Sequence, residues 1–325
     1  MKERVLQYLC CLDCRGNLVL NDARWEQNEI WEGSLKCEKC AASYPVKDGI
    51  PRFIPKDLDE IVARNVDNFG DQWHLLDERS EINRTEFLSY LDNFSPDFFE
   101  NKLILDGGCG MGKFLYYSGQ WGAKDVIGVD LSHAVEVAFQ WTHEMPNVHV
   151  IQGDLYNLPL RGGFDFIYSI GVLHHLPDPE KGFATLVKFL KPGGKILAWV
   201  YGYEGNELYI KLANPVRRLT CHFPLAVNKV LAQTIAAVLW VIILFVYIPS
   251  NRLNLKGLPF NEYFLYFYGL GFPIFWGTVL DKMTPYISYY YRREEFEQWF
   301  VRAKLSNTRI TQRNGNSWRG EADKL

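Results

Sequence analysis

Short apolar runs alternate with amphipathic stretches through the middle of the chain. Five of these runs, at 103–106, 125–130, 148–151, 164–169 and 196–200, have the length and turn-rich boundaries of buried strands. The stretches between them carry apolar residues at helical spacing. This alternation predicts βαβ units and a parallel sheet.

The flanking regions continue this pattern. Residues 57–100 mix polar and aromatic side chains in a way that indicates helices. Near the end of the chain, 294–301 has its aromatic residues on one helical side. Two further strands are predicted near 307–312 and 317–322, where they would complete the sheet.

A long apolar region, 205–290, separates the fifth strand from these last elements. Within it, the run at 230–248 approaches the roughly 20 residues that a membrane span needs. A single span would cut the last strands off from their sheet, but a second apolar stretch at 263–280 can bring the chain back. Two interpretations stay open: a helical lid over an apolar acceptor, or a hairpin that contacts a membrane.

Composition and charge narrow the choice of partners. Of the 325 residues, 48% are hydrophobic and 22% are charged, which is typical of a globular protein. The net charge of −3 shows no basic excess and argues against a nucleic-acid partner. The N-terminal segment is too charged, and lacks an apolar stretch of the length needed, for a secretory signal. We therefore expect a cytoplasmic protein, which would lie at the inner face of a membrane if the apolar region contacts one.

Four of the seven cysteines form two C-x-x-C pairs that are 22 residues apart. Such pairs supply four thiolates for tetrahedral Zn²⁺, and a site made only of cysteines is typical of structural zinc. Cys10 adjoins a ligand and is expected to be a spare thiol. The predicted zinc ligands are Cys11, Cys14, Cys37 and Cys40.

Carboxylates and glycines follow the predicted strands where a nucleotide-like ligand would lie. The first strand runs into the glycine-rich stretch 107–112, whose backbone a ligand can approach closely. Asp130 ends the second strand and is placed to accept both hydroxyl groups of a ribose. Asp154 follows the third strand and can accept an adenine amino group. Taken singly, Asp130 could instead be a helix N-cap for the segment that starts near Ser132, and Asp106 could simply end a strand.

In combination these motifs resemble a known enzyme family. The stretch Asp-Gly-Gly-Cys-Gly-Met-Gly at 106–112 resembles the D-x-G-C-G-x-G signature of class I S-adenosylmethionine methyltransferases. Asp130, Asp154, the Val-Leu-His-His stretch at 172–175 and the Leu-Lys-Pro-Gly-Gly turn at 190–194 follow in that family's order. A single glycine-rich turn is weak evidence, but the ordered set is specific.

The resemblance covers roughly 65–205 and resumes at 294. It implies an α/β fold, a Rossmann-like doubly wound seven-stranded sheet in the order 3-2-1-4-5-7-6. It also implies that the glycines and Asp106 hold the methionine end of S-adenosylmethionine, that Asp130 binds the ribose, and that Asp154 binds the adenine. The full implied cofactor set is Asp106, Gly108, Gly110, Gly112, Asp130, Leu131, Asp154, Leu155, Ser169 and Gly171.

Two histidines follow the fourth strand, close to where a methyl group would be transferred. His174 and His175 are the candidates for a catalytic base, with His174 preferred. The alternative is that one or both only hydrogen-bond the loop. Upstream, Phe-Gly-Asp-Gln-Trp at 69–73 resembles a segment found in related enzymes that carry a zinc ribbon; it either closes over the cofactor or packs as part of an ordinary helix.

The N-terminal module also has a resemblance of its own. Its cysteine pairs and its Tyr-Pro-Val-x-Asp-Gly-Ile-Pro ending at 44–51 resemble the small zinc-ribbon proteins that activate tRNA and ribosomal methyltransferases. Leu12 stands where those proteins commonly have proline, a change that should not affect zinc binding.

The sequence thus predicts four parts: a zinc ribbon at 1–56, a cofactor-binding core at 57–204, an apolar helical insert at 205–290, and the last helix and strands of the core at 291–325. We expect an S-adenosylmethionine-dependent methyltransferase with structural Zn²⁺ that acts on a small or lipid-linked, apolar acceptor. The alternatives are an RNA base methyltransferase and a non-catalytic cofactor-binding scaffold. The oligomeric state stays open.

Overall fold

The computed structural model describes residues 1–75, 81–255 and 257–325. In these ranges the strands form one mixed sheet in the order β1-β2-β3-β4-β7-β6-β5-β8-β9-β11-β10. The strands are β1 (Leu18–Glu26), β2 (Glu29–Cys37), β3 (Ser43–Lys47), β4 (Ile50–Phe53), β5 (Leu103–Gly107), β6 (Asp125–Asp130), β7 (Val148–Gly153), β8 (Phe164–Ile170), β9 (Leu190–Tyr201), β10 (Leu305–Arg313) and β11 (Ser317–Lys324).

Helices cover this sheet and fill the long connection after β9. They are α1 (Glu60–Leu75), α2 (Glu81–Leu91), α3 (Lys113–Gln120), α4 (Val135–Thr142), α5 (Pro179–Phe189), α6 (Glu207–Thr220), α7 (Leu225–Ile242), α8 (Ile248–Arg252), α9 (Asn261–Leu270), α10 (Phe272–Met283) and α11 (Arg293–Arg302). The helical stretch predicted within 57–100 includes residues 76–80, which lie outside the described residues.

The predicted strand order of the core is confirmed. Counted in chain order from β5, the seven core strands lie in the order 3-2-1-4-5-7-6. β11 pairs antiparallel with both β9 and β10, whereas β5 to β9 pair in parallel. The fold is therefore the Rossmann-like α/β fold that the alternating pattern predicted.

Alternation along the strands explains why both faces of the core sheet carry helices. Ile104, Val126 and Phe166 pack into the cluster that contains the apolar sides of α3 and α4. Leu105 and Ile127, one position further along, pack into the cluster that contains α5 and α11. Neighbouring residues of a strand point to opposite faces, so each apolar run supplies two layers of core.

The fifth strand begins earlier than predicted, so the Leu-Lys-Pro-Gly-Gly turn lies inside β9 and not before it. Phe164 pairs with Leu190, but Phe166 pairs with Lys195, so the intervening residues form a bulge in a longer strand. Gly193 adopts a φ of 74° within this bulge, a conformation that glycine adopts readily.

The ribbon is joined to the core by a continuous sheet. β4 pairs in parallel with β7 through Arg52 with Gln152 and Phe53 with Gly153. A short helical turn, Glu3–Tyr8, adds a second connection at buried Asp125, the first residue of β6. There Tyr8 Oη donates to Asp125 Oδ2 at 2.5 Å, and Arg4 Nη2 donates to the same oxygen at 2.7 Å.

The insert forms a helical layer with a small core of its own. α7 continues through a π-helical turn into α8 as one apolar helix, Leu225–Arg252. Ala232, Ala236 and Ile243 on its inner side pack against α10, which contributes Phe275 and Leu280. Of the described helices, Leu225–Arg252 is the one whose length and composition would suit a membrane span.

Candidate active site

The glycine-rich loop after β5 is shaped by backbone conformations that favour glycine. Gly108, Gly110 and Gly112 have φ values of 88°, 50° and 82°. A Cβ at Gly108 would overlap the Val172 side chain, and a Cβ at Gly112 would lie 2.8 Å from that of Ala138. Gly110 meets only the Trp73 indole, at 3.4 Å, and borders a large cavity. The loop therefore turns tightly and leaves bare backbone facing the cavity.

Asp130 holds this loop and also borders the cavity. Its Oδ2 accepts a hydrogen bond from the Gly110 N–H at 2.9 Å, and its Oδ1 accepts from the Ser132 N–H and hydroxyl at 2.8 and 2.7 Å. The side chain does not cap α4, whose N-cap residue is Ala134. Leu131 lines the cavity beside it.

Asp106 lies beneath the loop with an unsatisfied oxygen. Its Oδ2 is buried and accepts no hydrogen bond from the described residues. A hydrogen bond from Tyr168 lowers the pKa of Asp106, but burial has the larger effect and raises this pKa well above its ordinary value. Buried polar atoms in folded proteins nearly always have a partner, so this oxygen fits a hydrogen-bond donor on a ligand.

β7 and β8 bring the remaining predicted cofactor-binding residues to the same edge of the sheet. Asp154 and Leu155 line the cavity, and Asp154 Oδ1 accepts from the Tyr156 N–H at 2.9 Å. Burial raises the pKa of Asp154. After β8, Gly171 borders the cavity, but Ser169 is fully buried and its hydroxyl donates to the Gly107 carbonyl at 2.7 Å. Ser169 therefore supports the loop from behind.

The two histidines differ in position. His174 is fully buried outside the cavity lining, and neither ring nitrogen has a hydrogen-bond partner among the described residues. His175 lines the cavity, and its Nδ1 lies 2.7 Å from the Ile287 carbonyl, which fixes Nδ1–H as the donor. Burial lowers the pKa of His175 to about 4, which leaves Nε2 unprotonated at neutral pH. Of the two candidate bases, His175 therefore borders the cavity and His174 does not, and the catalytic base stays a prediction.

The Phe-Gly-Asp-Gln-Trp segment lies in α1 and closes one side of the cavity. Phe69 packs on the His175 ring with centroids 4.9 Å apart. Buried Gln72 donates to Asp281 Oδ1 at 3.0 Å and accepts from the Thr284 hydroxyl at 2.8 Å. Because Asp281 belongs to α10, these bonds attach α1 to the insert. This arrangement favours the interpretation that the segment closes over a bound cofactor.

The cavity has a volume of about 720 Å³ and extends from the glycine loop to the insert. This volume is within the range of small-molecule sites. Its far end is aromatic, with Trp199 and Tyr201 from β9 and Tyr263 and Trp276 from the insert. The indole N–H groups of Trp199 and Trp276 are buried without a hydrogen-bond partner in the described part of the chain. The far end therefore combines apolar walls with two unused donors.

Sequence reasoning missed two cations at this end. Lys282 lies 4.7 and 4.9 Å from the ring centroids of Tyr201 and Tyr209, and burial lowers its pKa to about 8. Arg313 lies 3.9 Å from the Tyr90 ring and donates to the Tyr266 hydroxyl at 2.9 Å. No local motif marks these residues, because each reaches the cavity from an element far along the chain.

The four predicted zinc ligands come together. All four Sγ atoms lie within 4.8 Å of one another, with 3.5 Å between Cys11 and Cys40 and 3.4 Å between Cys14 and Cys37. Zn–S bonds of about 2.3 Å in a tetrahedron place sulfur atoms about 3.8 Å apart, so the donor set fits Zn²⁺. Cys10 lies outside the cluster and its thiol contacts the Leu160 carbonyl at 3.3 Å.

Comparison with known proteins now adds to this geometry. Residues 105–198 match the family model of a methyltransferase domain, and residues 2–49 match that of Trm112p-like proteins. The chain carries a methyltransferase domain. A Trm112p-like domain precedes it, and the cysteine cluster belongs to that domain.

Curated relatives share the central part of the chain. The tRNA U34 carboxymethyltransferase of Pseudoalteromonas atlantica is 32% identical over 117 residues, which are 35% of this chain and 36% of the relative. Its namesake from Vibrio cholerae is 30% identical over 121 residues, 36% of this chain and 37% of the relative. The chain thus spans little more than a third of the length of these relatives.

Solved structures of similar shape include magnesium protoporphyrin IX methyltransferase (ChlM) from Synechocystis PCC 6803 with bound SAH. It has 15% identity and a TM-score of 0.47, and the match covers 82% of this chain and all of that one. A SAM-dependent methyltransferase from Aquifex aeolicus has 16% identity and a TM-score of 0.46, with 79% and 98% covered.

These matches overturn one expectation. We argued from a net charge of −3 against a nucleic-acid partner, but the curated relatives are named as tRNA-modifying enzymes and the ribbon is Trm112p-like. Net charge averages over the whole chain and does not describe a single cavity or surface, so a negative total does not exclude RNA binding.

Proposed function

We propose that the protein is an S-adenosylmethionine-dependent methyltransferase. One observation carries the proposal: the bare Gly110 backbone and the carboxylates of Asp130 and Asp154 border the same 720 Å³ cavity, and the unsatisfied Asp106 oxygen is buried beneath the glycine loop. Asp106 would accept from the amino group of the methionine moiety. Asp130 would accept from the ribose hydroxyls, and Asp154 and Leu155 would bind and cover the adenine.

The chain's own residues then position the acceptor. When bound, the cofactor supplies an electrophilic methyl group on sulfur, so alignment of the acceptor is the main task of the protein. Trp199, Tyr263 and Trp276 would hold the acceptor at the aromatic end of the cavity. His175 Nε2 would take a proton from the acceptor where the reacting atom carries one.

We propose an RNA base as the acceptor. The names of the curated relatives and the Trm112p-like ribbon support this choice. The cavity is chemically suitable, because a flipped base is held by stacking between aromatic side chains and by hydrogen bonds to its polar edge. The unpartnered indole N–H groups of Trp199 and Trp276 supply donors for such an edge.

A small or lipid-linked acceptor is the second candidate. It is favoured by the insert, which walls the cavity with Tyr263, Phe267 and Trp276. The same helical layer is strongly apolar on its outer side, where Phe245 is 75% exposed.

The first experiment measures cofactor binding by calorimetry. Wild type and Asp97→Ala, which changes an exposed aspartate remote from the cavity, should bind S-adenosylmethionine with equal affinity. Asp130→Ala should bind at least about 10-fold more weakly because it loses hydrogen bonds to a charged group. Equal binding by all three proteins, or none by folded wild type, would contradict the proposed cofactor site.

The second experiment identifies the acceptor. Zinc-loaded wild type is incubated with cofactor labelled in the methyl group and with tRNA, ribosomal RNA or a lipid extract. Label in tRNA nucleosides supports the RNA base, and the mass of the labelled nucleoside identifies which base carries the methyl group. Label found only in the lipid fraction supports the second candidate instead.

A further inference from the structure

The outer side of the insert has an unusual surface. In the described part of the chain, 23 large apolar side chains are exposed, and 15 of them lie between residues 208 and 255. They include Leu212 on α6 and Val230 and Phe245 on the helix Leu225–Arg252, which are 65%, 63% and 75% exposed. We call the exposed apolar side chains of α6 and of Leu225–Arg252 the outer apolar face.

This face is not the core of a soluble bundle. Only 22% of the most apolar window of Leu225–Arg252 is buried, whereas a core helix would be mostly buried. The buried share is the inner side, where Ala232, Ala236 and Ile243 pack on α10. Soluble monomers rarely leave an apolar surface of this extent uncovered, so a partner is expected to cover it.

Charge around the face indicates the chemistry of that partner. Residues 208–261 contain no aspartate or glutamate, but they contain six lysines and arginines. Lys211, Arg218, Lys229 and Arg252 are exposed on the same helices as the apolar side chains. A surface that is apolar and basic together is suited to a bilayer with anionic lipids, which solvates aliphatic side chains and attracts the cations. RNA would satisfy the cations but not the exposed leucines, valines and phenylalanine.

The surrounding packing excludes a crossing helix. β9 enters the insert and β11 returns from the region after it, and these two strands pair along their length in the same sheet. A hairpin crossing would have to take α10 along, because the inner side of the helix packs on it, but α10 is held to α1 by the Gln72–Asp281 hydrogen bond. Contact with a membrane would therefore place these helices along its surface.

We propose that the outer apolar face docks the protein peripherally on an anionic lipid bilayer, with α6 and Leu225–Arg252 lying in the interfacial plane. The bilayer then lies on the outer side of the layer whose inner helices wall the cavity with Tyr263 and Trp276. Docking is independent of which acceptor the enzyme uses.

Vesicle flotation of the full-length protein tests this proposal. Wild type should float with phosphatidylcholine vesicles that contain phosphatidylglycerol, and less with pure phosphatidylcholine or at high salt. The triple variant Val230→Asp, Val238→Asp, Phe245→Asp should lose binding about 10-fold or more, because it places charge in the apolar contact. Val301→Asp is the matched control, since Val301 is 58% exposed on α11, away from the insert.

A second variant separates the charges from the apolar contact. Lys211→Ser, Arg218→Ser, Lys229→Ser should remove the preference for anionic vesicles and most of the salt dependence. Phe245→Ser repeats the apolar test with a milder change if the triple aspartate variant does not fold. Binding of S-adenosylmethionine is measured for every variant and should be unchanged, which shows that the core is intact.

Three outcomes would overturn the proposal. Vesicle binding that the aspartate substitutions leave unchanged would mean that another surface binds lipid. A dimer in sedimentation velocity without lipid, dissociated by the same substitutions, would mean that a second copy covers the face. Release from vesicles by tRNA, with tRNA binding that depends on Lys211, Arg218 and Lys229, would mean that the face binds RNA.

Discussion

Asp106 is a carboxyl group that the fold buries without a partner for one of its oxygens. Its pKa is raised by burial, so in the folded protein it resists ionisation at a pH where the unfolded chain is already ionised. Such a group costs stability unless a ligand compensates for it. Replacing Asp106 should therefore affect ligand binding and protein stability differently.

Asp106→Asn should weaken S-adenosylmethionine binding by about 10- to 100-fold, because the amide, unlike the carboxyl group, cannot ionise to pair with the amino group of the cofactor. The free energy of unfolding should not fall at neutral pH. Between the ordinary pKa of 3.8 and the raised pKa of the folded state, Asp106 keeps its proton in folded wild type but has lost it in the unfolded chain. The free energy of unfolding of wild type therefore falls as the pH rises through this window. Thermal denaturation from pH 4 to 8 should show this loss in wild type and not in the variant.

His175 borders the cavity and His174 does not, although the two are neighbours in sequence. His175→Gln should lower kcat by about 10²-fold, which is typical of a lost general base, and should leave cofactor binding unchanged. The pH profile of kcat should lose its acidic limb, since the base that titrates near pH 4 is gone. His174→Gln is the control; if it lowers kcat as much as His175→Gln does, the assignment is wrong.

Among the elements, the ribbon and the core are joined by the β4–β7 pairing and by the Glu3–Tyr8 turn. Burial would raise the pKa of Asp125, but hydrogen bonds from His149 and Tyr8 outweigh it, and the pKa lies below its ordinary value. His149 Nε2 and Arg4 complete the set of donors, at 3.0 and 2.7 Å. The carboxylate is therefore the acceptor that holds the first turn of the chain on the core.

Asp125→Ala should lower the free energy of unfolding by about 3–5 kcal/mol at neutral pH, because it leaves buried donors unpaired. A carboxylate with a depressed pKa stabilises the fold above its unfolded pKa and loses that effect as pH falls through the folded value. The difference from wild type should therefore shrink as the solution is acidified below pH 4. A difference independent of pH, measured by denaturant unfolding, would contradict the role of the carboxylate.

Zinc is expected to stabilise the ribbon, because a short two-layered module has little core of its own. Metal analysis should give one Zn²⁺ per chain for wild type and for Cys10→Ser, and much less for Cys14→Ser. Chelation should lower the melting temperature and weaken cofactor binding, since β4 pairs with β7, the strand that leads to Asp154. Unchanged melting of the metal-free protein would show that the cluster is not structural.

At the scale of the whole molecule, the cavity is shared between two remote parts of the chain. Its cofactor end comes from the ends of β5 to β8, and its aromatic end comes from β9 and the insert. The Gln72–Asp281 hydrogen bond connects the two parts across 209 residues of sequence. The insert therefore acts as a wall of the site.

Trp276→Ala should raise the KM for the acceptor by about 10-fold or more, because stacking on an aromatic side chain is worth about 1–3 kcal/mol per base. The affinity for S-adenosylmethionine should stay unchanged, since Trp276 belongs to the insert and not to the strand ends. Trp25→Ala, at a 46% exposed position of the ribbon, is the control for loss of an indole. A matching loss of cofactor affinity would contradict this division of the cavity.

The sequence by itself determined the core fold, the donor set for zinc and the positions of Asp130, Asp154 and the glycine loop at the cavity. These features depend on short segments: an apolar run specifies a buried strand, the glycines at 108 and 112 specify a tight turn, and two C-x-x-C pairs specify close thiols. The turn at 190–194 is the local exception, because β9 begins at Leu190 and the unpaired residues 191–194 form a bulge within it.

Tertiary structure alone decided the rest. The continuous sheet through β4 and β7, the contacts of Lys282 and Arg313, and the choice of His175 over His174 all depend on contacts between elements far apart in the chain. Such contacts carry no local pattern, because they form only where packing brings distant backbone segments together. For the same reason, the apolar run at 230–248 predicted a helix but did not reveal that one side packs on α10 and the other is left exposed.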